Sequence, residues 1–196
     1  QDEIESITGA NPKNYISDSD GNILEILYDA PEASIDNQAE YSYNANGQRI
    51  KKTVNGTTTI FHYDLSGNLI SETDQTGNII KDYIYLNGIL FAMLDSGNNI
   101  YYYHNDHLGT PQKMTDSSGT VVWAADYLPF GKANVTVNTV ENNIRFPGQY
   151  YDAETGLHYN YHRYYNFNTG RYLKIDPINT ILKEKHPFLY ANNQPI

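Results

Sequence analysis

The ten residues Phe61-His62-Tyr63-Asp64-Leu65-Ser66-Gly67-Asn68-Leu69-Ile70 decide how this chain folds. Phe61 and Tyr63 are two apart and therefore share one face of a strand. Ser66-Gly67-Asn68 is turn chemistry, and an apolar stretch resumes at Leu69, so the segment predicts a strand, a tight turn and a returning strand. The same pattern recurs on both sides. Tyr41/Tyr43, Phe61/Tyr63, Tyr83/Tyr85, Tyr101/Tyr103 and Trp123/Tyr127 form pairs whose second members follow at 20, 22, 18 and 24 residues. Gly47, Gly56, Gly67, Gly77, Gly88 and Gly97 lie 9 to 11 residues apart, which suits short strands joined by tight turns, with Asn46-Gly47 and Asn55-Gly56 as hairpin dipeptides. A helix of useful length would have to cross one of these glycines. The expectation is an all-β chain of tandem antiparallel hairpins in a curved or spiral sheet, with the paired rings stacked as a ladder across it.

Composition suits sheets that are wet on one side. Tyrosine outnumbers phenylalanine 19 to 6 and mean hydropathy is -0.61, so most large rings carry a hydroxyl that needs a partner when buried. A net charge of -10 with scattered Lys and Arg argues against a nucleic-acid partner, because phosphate binding draws on clustered cations. No apolar run reaches the length of a membrane span, and Gln1-Asp2-Glu3-Ile4-Glu5 lacks the basic and apolar regions of an export leader. Export is thus expected to be encoded elsewhere, or the piece to come from a longer chain. The absence of cysteine excludes a disulfide scaffold and thiolate chemistry. Residues 1–40 are the least regular. Asn11-Pro12 and Asp18-Ser19-Asp20-Gly21 are turn signals around one expected strand, Ile23 to Tyr28, and acidic Asp29 to Gln38, with Pro31, reads as a loop or a degenerate repeat.

Tyr63-Asp64-Leu65-Ser66-Gly67-Asn68 resembles the tyrosine-aspartate (YD) repeat of the RHS family. Tyr43-Asn44-Ala45-Asn46-Gly47-Gln48 lacks the acid, and Tyr85-Leu86-Asn87-Gly88 is one residue short. The last third is more specific. His104-Asn105-Asp106-His107-Leu108-Gly109-Thr110-Pro111, Asp126-Tyr127-Leu128-Pro129-Phe130-Gly131, Gly148-Gln149-Tyr150-Tyr151-Asp152-Ala153-Glu154-Thr155-Gly156-Leu157 and Gly170-Arg171-Tyr172-Leu173-Lys174-Ile175-Asp176-Pro177 together resemble the RHS-associated core over about 101–196. The resemblance implies three parts: 1–40, an irregular or degenerate segment; 41–100, a YD-repeat sheet; and 101–196, an end plug. It also implies a large bacterial polypeptide, secreted or at the cell surface, whose shell resembles the toxin-complex C subunit and the teneurins. Its partners would be the rest of the shell, its own C-terminal toxin segment, and an exporter or adaptor.

In many family members the core is an aspartic autoprotease that frees the toxin. Peptide cleavage by carboxylates needs two, with pKa values pushed apart. The first matches Asp176, with Arg163 and Arg171 as supporting cations; the second is expected beyond Asn192-Asn193-Gln194-Pro195, after Ile196. The chain as given is therefore expected not to cleave by itself. Asp176-Pro177 also reads simply as a turn. The pairs His104/His107 and His158/His162 have helical metal-ligand spacing but sit in strand and turn sequence, and no third ligand accompanies them, so no metal and no cofactor is expected. His104 to His107 reads instead as a turn leading to Gly109, and Asp18 to Gly21 as a turn, not a calcium loop. Three functions compete: an encapsulating wall and plug, an autoprotease, and an adhesin whose rings bind sugar.

Overall fold

The computed structural model describes residues 5–7, 13–18, 22–28, 39–175 and 188–191, and every named element in it is a strand. Thirteen strands form one antiparallel sheet in strict chain order, a β-meander. They are β1 (Glu5–Ile7), β2 (Lys13–Ser17), β3 (Ile23–Tyr28), β4 (Ala39–Tyr43), β5 (Arg49–Val54), β6 (Thr57–Tyr63) and β7 (Leu69–Thr73). The sheet continues through β8 (Ile79–Leu86), β9 (Ile89–Asp95), β10 (Ile100–Asn105), β11 (Pro111–Thr115), β12 (Val121–Tyr127) and β13 (Ala133–Asn138). Four short strands, β14 (Tyr150–Asp152), β15 (Leu157–Asn160), β16 (Arg163–Asn166) and β17 (Arg171–Tyr172), make a second sheet, also in chain order. Where one strand is expected before residue 40 there are three; Asn11-Pro12, Ser19 to Gly21 and Asp29 to Gln38 lie outside the described residues. The sheet also runs unbroken through residue 100, since β10 pairs with β9 and β11 alike, and the change of sheet comes between β13 and β14.

The repeat signature has a physical explanation in its turns. Asp64 Oδ1 accepts from the backbone N–H of Ser66 and Asn68, while Asn68 Nδ2 donates to Oδ2. Gly67 closes the turn onto the Asp64 carbonyl with φ +85°, a conformation that favours glycine. Asp74, Asp95, Asp106 and Asp116 hold the same turn, and His104 to His107 is the lead-in to one of them. Asn44 does the acid's work in the copy that lacks it, accepting from Asn46 N–H and Gln48 N–H. Asn46-Gly47 therefore belongs to a longer turn. The tight two-residue hairpins are Asn55-Gly56 and Asn87-Gly88, where both residues have positive φ.

Register shifts precede the turns that follow the paired positions, at Ser42/Tyr43, His62/Tyr63, Ile84/Tyr85 and His104/Asn105, but not the Asp95 turn, and such bulges bend and twist a strand. The carbonyls near the bulges are taken up by the last ring of the pair. Tyr43, Tyr63 and Tyr85 hydroxyls donate to the carbonyls of Ile23, Arg49 and Leu69, and the Asn105 side chain does the same for Leu90. The ladder is a packing ladder. Tyr41, Phe61, Tyr83, Tyr103 and Trp123 are buried, Tyr43, Tyr63, Tyr85, Tyr101 and Tyr127 pack against them, and Met93 and Met114 fill the strands between. Buried rings offer no sugar platform on that face. The second sheet lies over it, with Tyr150, Leu157, Tyr159 and Tyr164 joining the same core.

Candidate functional site

The two sheets meet at an ion pair that sequence reading did not single out. Arg49 opens β5 opposite the Ser42/Tyr43 bulge, so its backbone leaves the ladder: its N–H donates to the Tyr159 hydroxyl and its carbonyl accepts from Tyr63. Asp152 closes β14, fixed by a turn in which Gly156 and Thr155 N–H donate to its carbonyl. The guanidinium and carboxylate form a two-pronged pair, Nη1–Oδ2 2.6 Å and Nη2–Oδ1 2.9 Å, with side chains 1% and 0% exposed. Rings of Tyr41, Phe61, Tyr150 and Tyr159 surround the guanidinium at 4.4 to 5.4 Å from its carbon. Lys52 Nζ lies 3.2 Å from Asp152 Oδ1 and 3.2 Å from Glu154 Oε1, and Tyr41 donates to Glu154. Two cations thus face two anions, and the cluster is neutral.

Burial works against both charges here, but the neighbours win. Asp152 is pushed up by burial and held below the usual carboxylate range by Arg49 and Lys52; Arg49 is pushed down by burial and raised overall by Asp152. The pair stays ionised. Removing one partner of such a pair leaves a buried charge alone, a loss of about 3–5 kcal/mol. Beside it Glu72, buried on β7, accepts from the hydroxyls of Tyr83 in the first sheet and Tyr150 in the second. Arg145 donates to the carbonyls of Asn142 and Ile144 and lies over the rings of Trp123 and Tyr151, so it joins the sheets from the other side.

Asp176 and Asn192 to Pro195 lie outside the described residues, and the described geometry does not reach the expected acid. Arg163 stacks on Tyr172 with its guanidinium carbon 3.5 Å from the ring centre, while Arg171 is exposed on β17. His158 and His162 do not share a strand face, because β15 ends at Asn160; His158 is buried and His162 exposed. Burial and the nearby Arg145 push His158 down to about 3, and its Nδ1 donates to Gln149 Oε1 at 2.7 Å. Among the described residues, no three His, Asp or Glu side chains converge as metal ligands would. Asp152 and Glu154 stand in the quoted motif Tyr151-Asp152-Ala153-Glu154, but nothing in the sequence couples them to Arg49 a hundred residues earlier.

Two family profiles match the chain: that of RHS protein over residues 100–136 and that of RHS Repeat over residues 43–79. The tRNA3(Ser)-specific nuclease WapA of Bacillus spizizenii is 34% identical over 166 residues, covering 81% of this chain and 7% of that protein. Double-stranded DNA deaminase toxin A of Burkholderia cenocepacia is 29% identical over 180 residues, 72% of this chain and 12% of that protein. Toxin protein Tse5 of Pseudomonas aeruginosa is 38% identical over 96 residues, 49% of this chain and 7% of that protein. The chain therefore spans only 7% to 12% of the length of these relatives. Among solved structures, a Photorhabdus luminescens Tc holotoxin pore with a substituted TccC3 superposes with a TM-score of 0.69 at 22% identity, over 94% of this chain and 10% of that one. The TcdB2-TccC3-TEV crystal structure gives 0.72 at 20% identity, over 93% and 10%. These two likenesses establish the fold. The matched profiles and the relatives, with the repeat turns, show that this chain belongs to the RHS/YD-repeat family.

Proposed function

We propose that this chain is a wall-and-plug segment of an encapsulating shell, part of an exported RHS-repeat polypeptide that holds a C-terminal toxin. One observation carries the reading. A continuous meander is covered on its ring-bearing face by a second small sheet, and the two are joined by a fully buried, ring-enclosed ion pair, Arg49 with Asp152. That arrangement fastens a lid to a wall and leaves no open catalytic group at the joint. The names of the relatives, a nuclease, a deaminase toxin and a Tc holotoxin, support a toxin as cargo. In this reading the partners are the rest of the shell, the toxin segment, and an exporter or adaptor, and the location is secreted or cell-surface. The test is limited proteolysis of the full-length polypeptide. Its C-terminal segment should resist added protease and become cleavable in Arg49→Met. Equal cleavage in both, or a toxin segment open to protease in the unaltered protein, overturns the reading.

The resemblance also supports Asp176 as one acid of an aspartic autoprotease, with Arg163 and Arg171 nearby in sequence. A chain extended by its own downstream residues should lose that extension spontaneously, and Asp176→Asn should keep it. An unaltered extended chain that stays intact ends this assignment and leaves the shell reading standing.

A further inference from the structure

The two rims of the thirteen-stranded sheet are chemically different. At one rim lie the turns after β5, β7, β9 and β11, whose tips are polar: Asn55, Thr76, Ser96 and Ser118. At the other lie the turns after β4, β6, β8, β10 and β12; those after β6, β10 and β12 carry a leucine, and Leu86 and Ile89 flank the Asn87-Gly88 turn after β8. Leu65 is fully exposed, and Leu86, Ile89, Leu108 and Leu128 are also exposed. The second sheet and the loop before it already use this rim. A side-chain carbon added at Gly47 would meet the His162 ring at 2.8 Å, at Gly67 the Tyr161 ring at 3.9 Å, and at Gly131 the Phe146 ring at 2.7 Å. Three turns of the rim thus receive a ring on their glycine. The two turns between them do not, for nothing lies within 4 Å of such an atom at Gly88 or Gly109.

In front of these two unfilled seats is a cleft of about 400 Å³. Tyr85, Ile89 and Leu108 line the wall side, and Pro147, Tyr159 and Tyr161 the other. It contains no carboxylate, although the chain carries a net charge of -10, and its one permanent cation, Arg49, is already paired with Asp152. An uncharged occupant suits it. The seats belong to turns two strands apart, a separation of about 9.6 Å at the usual strand spacing. A polyproline II peptide places residues i and i+3 on one side about 9.3 Å apart, and tyrosine-lined grooves are a standard seat for such peptides.

We propose that this cleft binds an uncharged polyproline II segment, with apolar side chains at i and i+3 entering the seats at Gly88 and Gly109. The binding continues an interface the molecule already makes, in which rings settle on neighbouring glycine turns. It deepens the shell reading by naming a contact a shell could make with an extended stretch of its cargo. The probe is acetyl-Pro-Leu-Pro-Pro-Leu-Pro-amide, titrated into the labelled chain and followed by amide NMR shifts. Shifts should centre on Gly88, Leu108 and Gly109. The isomer acetyl-Pro-Leu-Pro-Leu-Pro-Pro-amide, with its leucines at i and i+2, should bind about tenfold more weakly. Ile89→Lys and Leu108→Glu, both at exposed positions, should each remove the shifts while leaving the thermal midpoint near that of the parent. Equal affinity for the two isomers, shifts centred elsewhere, or no shifts at all overturns the inference. The titration uses this chain alone and proteolysis uses the full polypeptide, so the failure of one is distinguishable from the failure of the other.

Discussion

The thirteen-stranded wall and the four-stranded sheet docked on it are both antiparallel and built from consecutive strands, yet different interactions hold them in place. In the wall almost everything is local: most turns are closed by an Asp or Asn that accepts from an N–H four residues on, and each strand pairs with its neighbour in sequence. The docked sheet is anchored by contacts across about a hundred residues, Arg49 to Asp152 and Tyr41 to Glu154. A repeat can therefore lose one residue and keep its turn, as Asn44 does in place of an acid. The dock has no spare copy.

That contrast predicts a ranking of effects. The largest falls on the dock: Arg49→Met or Asp152→Asn alone should lower unfolding stability by about 3–5 kcal/mol, measured by urea denaturation. The double variant Arg49→Met/Asp152→Leu should recover much of that loss, because no charge is left alone in the core. If the singles cost no more than a typical surface change, the dock is weaker than the wall and the comparison fails.

Next come two glycines. Gly131→Ala forces a methyl group toward the Phe146 ring at 2.7 Å, whereas Gly77→Ala meets open space, and both sit at positive φ. The first should cost about 2–3 kcal/mol and the second only about 1 kcal/mol for its backbone conformation. Equal losses would mean that the loop carrying Phe146 yields freely.

His158 sharpens the comparison through pH. Its folded value is depressed to about 3 while the unfolded chain titrates near 6.5, so below about 6.5 the unfolded state binds more protons. Stability is therefore whole above that pH and falls by up to about 1.4 kcal/mol per unit as pH drops toward 3. His158→Gln should flatten this slope in denaturation series, and an unchanged slope would show that another group sets it. The smallest effect is expected from Asp116→Ala, at an exposed repeat turn. A thermal midpoint lowered by more than a few degrees would make single turns matter as much as the dock.

The wall was legible in the sequence because its determinants lie within a few residues of one another. Tyr63, Asp64, Gly67 and Asn68 spell out a strand end, a hydrogen-bonded turn and a return. Two details escaped for physical reasons. Asn46-Gly47 has the composition of a two-residue turn, but the Asn44 side chain captures two N–H groups and draws the chain into a longer one. The αL position of the Asp95 turn is Asn98, at φ 60°, and not Gly97. The dock was not legible. Arg49 looks like one more cation on a strand, and only the bulge at Tyr43 together with the rings of the second sheet turns it into a buried anchor. The acid that the sequence did single out, Asp176, lies outside the described residues.

The strict chain order of the meander bears on how the molecule forms. Loop closure is easiest for short loops, and topologies rich in local contacts fold quickly. Each hairpin of the wall can form as soon as it leaves the ribosome, before later residues arrive. The second sheet can latch only after Asp152 has emerged, when β5 has long been in place. The order of the sequence is thus an order of assembly: the wall is laid strand by strand, and the lid closes last.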